Sequence, residues 1–131
     1  MTRFLLVAMG GAVGSVARYS LSLAAARVLP GAAWPWATLA VNVIGGLAMG
    51  LLAGWLALRS GANQDNIRLF AAVGLLGGFT TFSAFSLETA LMIERRDYAL
   101  AGGYVAASVI LSVAALFAGL MIARRAFGAA L

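Results

Sequence analysis

The chain has no cysteine and no histidine. That removes disulfides, thiol nucleophiles, imidazole bases and the usual zinc ligands. It has no lysine either, so all nine basic residues are arginine. Proline occurs twice, at Pro30 and Pro35. Charge is scarce: 10% of the 131 residues are charged, against about 25% in an ordinary soluble domain. The four acids are Asp65, Glu88, Glu94 and Asp97. No two of them sit together inside an apolar stretch as an acid–base pair, and the serines have no evident base. An enzymatic reading therefore lacks its machinery.

What is present is apolar. Hydrophobic residues make up 63% of the chain and the mean hydropathy is +1.00. Sixteen glycines suit close helix packing in lipid, where small residues let backbones approach. The net charge of +5 does not point to nucleic acid, because the arginines cluster between apolar runs, as membrane-interface anchors do. Charges and turn residues leave four runs, at about 4–29, 34–58, 67–93 and 98–123. Each exceeds the roughly 20 residues that cross a bilayer. Pro30-Gly31, the interfacial pair Trp34 and Trp36, the polar loop at 59–66 and the turn Glu94-Arg95-Arg96-Asp97 separate them. The first run is too long for a cleavable signal and carries Arg18 inside it. The expectation is an all-α integral membrane protein, residues 1–131 forming a single four-helix transmembrane domain.

Orientation is weakly specified. Four spans put Arg3, Arg59, Arg68, Arg124 and Arg125 on one side and Arg27, Arg95 and Arg96 on the other. The positive-inside rule needs a clearer bias. Charge alone leaves two readings open: a single poorly signalled topology, or insertion both ways with oppositely oriented copies paired about a two-fold axis.

Several polar residues lie at membrane depth. In the third run, Gly77-Gly78-Phe79-Thr80-Thr81-Phe82-Ser83-Ala84-Phe85-Ser86 combines loosened backbone with hydroxyls, tolerated there where they face protein or water. Phe82 and Phe85 share a helix face. Their common use is packing, but a ring's positive edge can also face an anion. Glu88 is the only acid well inside a run and either modulates ion access or approaches the interface. In the second run Thr38, Asn42, Gly46, Gly50 and Gly54 recur every four residues, forming a small-residue packing stripe. Asn42 on that stripe is either interhelical glue or an anion donor. Arg18, beside Gly10 and Gly14, suits a structural or vestibule role. Tyr104, Ser108 and Ser112 form a line of hydroxyls on the fourth run.

Three of these segments, Gly10–Tyr19, Thr38–Gly45 and Gly77–Ser86, resemble the first three helices of Fluc-type (CrcB-like) fluoride channels, and the likeness covers essentially the whole chain. The resemblance implies an antiparallel, dual-topology homodimer with two fluoride pores in the bacterial plasma (inner) membrane. It implies that Phe82 and Phe85 line the pore edge-on and that Asn42 donates to fluoride. Ser83, Tyr104, Ser108 and Ser112 would supply further polar contacts. A break in the third helix from Gly77 to Thr80 would expose carbonyls holding a structural Na⁺ at the dimer centre. Ala84 departs from the many members that carry Thr there, which removes one hydroxyl but neither ring. Two other readings compete. A small multidrug antiporter needs an intramembrane acid, and the first two runs have none. A helper subunit of a larger complex would carry no flux by itself.

Overall fold

The structure is a computed structural model that describes residues 1–59, 61 and 63–128. All its regular elements are helical. Helix α1 spans Thr2–Val28 and ends where Gly31 takes a left-handed φ of 74° before Pro35. Helix α2 spans Trp36–Ala57. Trp34 and Pro35 stand outside it, since proline lacks the N–H a helix interior needs. The third segment is composite. It runs through a short α3 at Gln64–Ile67, a π-helical stretch at Arg68–Leu76 and a single turn, α4, at Gly77–Phe79, then resumes as α5 at Phe82–Glu94. Helix α6 spans Tyr98–Gly128. It continues past the expected end at 123 because Arg124 and Arg125 can stay helical while their long side chains reach water.

Four of these segments are long and apolar enough to cross a membrane. The chain is thus a multi-pass membrane protein. Few large side chains are fully covered; Tyr104 and Val41 are, whereas much of the apolar surface of α1 and α6 is exposed. Lipid requires no covered core on those faces.

Glycine seams hold the bundle in two pairs. Helix α2 lies along α6, and the expected stripe is the contact: a Cβ at Gly50 would strike the Leu116 carbonyl, and one at Gly119 the Leu47 carbonyl. Helix α1 lies along the π-helical stretch and α4, with Gly10 and Gly14 facing the backbone at Phe70 and Leu75. At one membrane face Arg3 pairs with Asp65 at 3.1 Å, and Arg68 approaches the same carboxylate at 3.5 Å. That contact brings the N-terminal end beside the central loop. Arg59 lies 5.0 Å over the Trp55 ring, a favourable cation–π arrangement. At the other face α5 ends in a Schellman turn, with Asp97 N–H on the Met92 carbonyl and Arg96 N–H on that of Ile93. Arg96 takes the left-handed position at φ 63°, where glycine is usual.

Candidate functional site

Thr80 (φ −75°, ψ 158°) and Thr81 (φ −150°, ψ 119°) are extended between α4 and α5. The glycine pair suggests loosened backbone from Gly77 to Thr80, but Gly77–Phe79 keep a helical turn. Gly78 serves close approach instead: a Cβ there would lie 2.6 Å from the Gly11 carbonyl oxygen of α1. The extended pair is held from α2. Asn42 Oδ1 accepts the Thr81 N–H at 2.8 Å, and Asn42 Nδ2 donates to the Thr81 carbonyl at 3.0 Å. The Thr81 hydroxyl then caps α5 by accepting the Ala84 N–H at 3.2 Å, as N-cap threonines do. Thr80 Oγ1 bonds back to the Leu76 carbonyl at 2.9 Å.

These bonds divert two N–H groups from the carbonyls four residues before them. The Thr81 N–H goes to Asn42 rather than to Gly77, and the Ala84 N–H goes to Thr81 Oγ1 rather than to Thr80. Gly77 is also exposed on the single chain. Among the described residues, no group of three acidic side chains is placed to hold a metal.

Beside the extended pair is a cavity of about 420 Å³, whose wall includes Asn42, Thr81, Phe82, Phe85, Ser108 and Ser112. It contains no carboxylate or arginine. The Ser108 and Ser112 hydroxyls are buried with no hydrogen-bond partner among the described residues. A buried hydroxyl without a partner is costly and marks a place where something polar belongs. The Phe82 and Phe85 ring centroids are 5.5 Å apart, and Phe85 is 5.3 Å from Tyr104. Phe82 is 78% exposed, so the cavity opens on that side of the single chain.

Glu88 is more deeply engaged than its sequence position reveals. Thr38 Oγ1 donates to Glu88 Oε1 and the Tyr104 hydroxyl donates to Oε2, both at 2.7 Å. One carboxylate thereby joins α2, α5 and α6. Tyr104 is fully buried and its hydroxyl points to Glu88, one turn from Ser108. The signal was present in the sequence: Thr38 precedes Asn42 by four residues on the α2 stripe, and Tyr104 heads the α6 hydroxyl line. Ser83 lies outside the cavity wall, exposed, with its hydroxyl 3.3 Å from that of Thr81. Arg18 is half-buried on α1, away from the cavity, and among the described residues no acid lies within ion-pair distance of it.

The cavity thus combines partnerless hydroxyls, two phenylalanine rings and an amide, without a carboxylate. Comparison with known proteins places the chain in a family. A protein named fluoride-specific ion channel FluC, from Caulobacter sp. (strain K31), is 65% identical over 127 residues, 97% of this chain and 98% of that protein. One of the same name from Phenylobacterium zucineum is 61% identical, covering 97% and 99%. Fluoride-specific ion channel FluC 1 of Nitrobacter hamburgensis is 50% identical, covering 94% and 96%. The profile of the CrcB-like proteins (camphor resistance, CrcB) matches residues 5–120, a stretch that takes in the extended Thr80-Thr81 pair, the cavity and most of all four spans, and the chain belongs to that family.

Proposed function

We propose that this protein is a fluoride-selective channel through which fluoride leaves the cytoplasm passively, reducing its toxicity. The observation that carries the reading is the pair of buried, partnerless hydroxyls of Ser108 and Ser112 beside the Phe82–Phe85 rings, in a chain whose relatives bear the name fluoride-specific ion channel. Fluoride is small and strongly hydrated. A pore must replace its water with several donors, each weak enough to permit release. Serine hydroxyls, phenyl edges and the second Nδ2 hydrogen of Asn42 are such donors. Hydrogen fluoride crosses membranes and dissociates at cytoplasmic pH, so a passive exit suffices and no enzymatic step is needed.

The pore would be completed by a second copy in the opposite orientation. The opening of the cavity beside exposed Phe82 and the near balance of arginines between the two membrane faces support an antiparallel homodimer. In that arrangement Ser83, outside the cavity of its own chain, would reach the path across the interface. Tyr104 and Glu88 would continue the polar path beyond Ser108. Arg18 would serve the vestibule. The Gly77 and Thr80 carbonyls, whose usual helical donors bond elsewhere, fit a structural Na⁺ shared by two copies, since neutral carbonyl oxygens suit a hard cation. The setting is the plasma (inner) membrane of a bacterium. The partners are fluoride, lipid and the second copy, not nucleic acid.

Efflux from proteoliposomes holding only this protein tests the reading. Fluoride should leave without a proton gradient and chloride should be retained. Equal chloride release, or strict dependence on a proton gradient, would overturn it.

A further inference from the structure

Among the described residues Glu88 has no cationic partner. Ion pairs among the described residues are confined to Asp65 with Arg3 and Arg68, and the Glu88 carboxylate meets two neutral hydroxyls. A partly buried carboxylate is costly without an opposite charge. Beside it is a second cavity of about 320 Å³, its wall including Ser22, Pro30, Trp34, Trp36 and Glu88. Neither Glu88 nor the tryptophans border the cavity of Ser108 and Ser112. The two indoles are 5.3 Å apart, tilted by 37°. Trp34 also stands edge-on to Tyr104 at 6.2 Å, and the Tyr104 hydroxyl holds Glu88, so rings and carboxylate form one packed unit. Arg27, in the last turn of α1, is exposed and outside this wall.

Indole faces are negative, and they attract a cation most strongly when it is poorly hydrated. An uncompensated carboxylate adds to that field. A hard metal ion fits poorly, because it needs six or more oxygens and this wall supplies one carboxylate already bonded to two hydroxyls. At about 30 Å³ per water the space holds roughly ten waters, enough for a compact organic cation. The geometry points to a binding site for a small organic monovalent cation, of the quaternary ammonium or guanidinium class, between the Trp34–Trp36 pair and Glu88. It does not depend on what the Ser108–Ser112 cavity conducts.

The test is a titration of the purified protein, reading tryptophan emission. Tetramethylammonium chloride is compared with sodium chloride at equal ionic strength and with tert-butanol, a neutral molecule of similar shape. A saturable change with tetramethylammonium alone is expected. Glu88→Gln retains an acceptor for its hydroxyl neighbours and should weaken binding at least tenfold. Trp34→Leu should weaken it as well, whereas Trp55→Leu, at the Arg59 end of α2, should leave it unchanged. An absent or non-saturable response in the wild type overturns the site. An equal response to tert-butanol does so too, as does full affinity in Glu88→Gln or in Trp34→Leu. Because the readout is binding, a negative result would leave the efflux of fluoride unaffected.

Discussion

Asn42 holds Thr81 at both of its backbone polar groups, accepting the N–H at 2.8 Å and donating to the carbonyl at 3.0 Å. A single side-chain amide thus replaces the neighbouring backbone groups that a continuous helix would have offered. A side-chain amide suits the task, because it carries a donor and an acceptor in one plane.

Replacing it should therefore affect structure and conduction together. Asn42→Ala strands an N–H and a carbonyl, each costing about 1–3 kcal/mol where water cannot reach. In Asn42→Asp one carboxylate oxygen keeps the Thr81 N–H while the other is set against the Thr81 carbonyl with no proton between them. Both variants should unfold at lower temperature and conduct little fluoride. Wild-type melting in Asn42→Asp would contradict the paired bond.

The two phenylalanines should affect conduction alike and stability unequally. Phe82 is 78% exposed on the single chain, while Phe85 packs on Tyr104 at 5.3 Å. Phe82→Ile and Phe85→Ile keep apolar volume and remove the positive ring edge. Fluoride efflux should fall steeply in both. Phe82→Ile loses the ring pair with Phe85, whereas Phe85→Ile loses both that pair and the one with Tyr104. Phe85→Ile should therefore lose more stability, at about 0.5–1.5 kcal/mol per aromatic pair, while gel-filtration elution of both stays that of the wild type. Wild-type efflux in both variants would show that the rings are ordinary packing.

Ser108→Ala and Ser112→Ala supply the opposite case. Each removes a buried hydroxyl that has no partner, so neither should destabilise the fold, and a slight rise in melting temperature is the expected direction. Efflux should nonetheless drop, because the ion loses a donor. A clear loss of stability in either variant would mean that the hydroxyl is satisfied within the protein.

The four spans were readable in the sequence because lipid imposes long apolar runs bounded by charge and turn residues. The α2 packing stripe was readable because Gly46, Gly50 and Gly54 repeat every four residues. The π-helical stretch at Arg68–Leu76 was not, since nothing in its composition distinguishes π from α geometry. Helix α1 lies close against it at Gly10 and Gly74, a contact that only the folded chain reveals. The extended backbone at Thr80-Thr81 follows Gly77 and Gly78 rather than including them, because Gly78 is needed for that same approach. Glu88 was visible as an acid at depth. Its bond to Thr38, 50 positions earlier, needed the tertiary fold.

The α2–α6 seam gives a sharp contrast among glycines. A Cβ at Gly50 would collide with the Leu116 carbonyl, whereas one at Gly102 meets nothing within 4 Å. Gly50→Ala should push the helices apart and lower yield and melting temperature. Gly102→Ala should be neutral or stabilising by up to about 1 kcal/mol, since alanine is the better helix former. Equal behaviour of the two variants would remove the seam from the account.

Glu88 and Tyr104 should be energetically coupled, and a double-mutant cycle measures it. Tyr104→Phe deletes the donor to Oε2 and leaves that oxygen beside apolar rings. Glu88→Gln keeps one acceptor, and its amide can turn to serve Thr38. Once Glu88 is Gln, Tyr104→Phe should cost less than it does in the wild type, giving a coupling of about 0.5–3 kcal/mol, the range for residues in one hydrogen-bonded network. Thr38→Val removes the other donor, at 2.7 Å, and should couple to Glu88 in the same direction. Thermal unfolding of the single and double variants supplies all the required values. Strict additivity for both pairs would mean that the carboxylate is held by something other than these two hydroxyls, and would detach Glu88 from the polar path proposed to lead to Ser108.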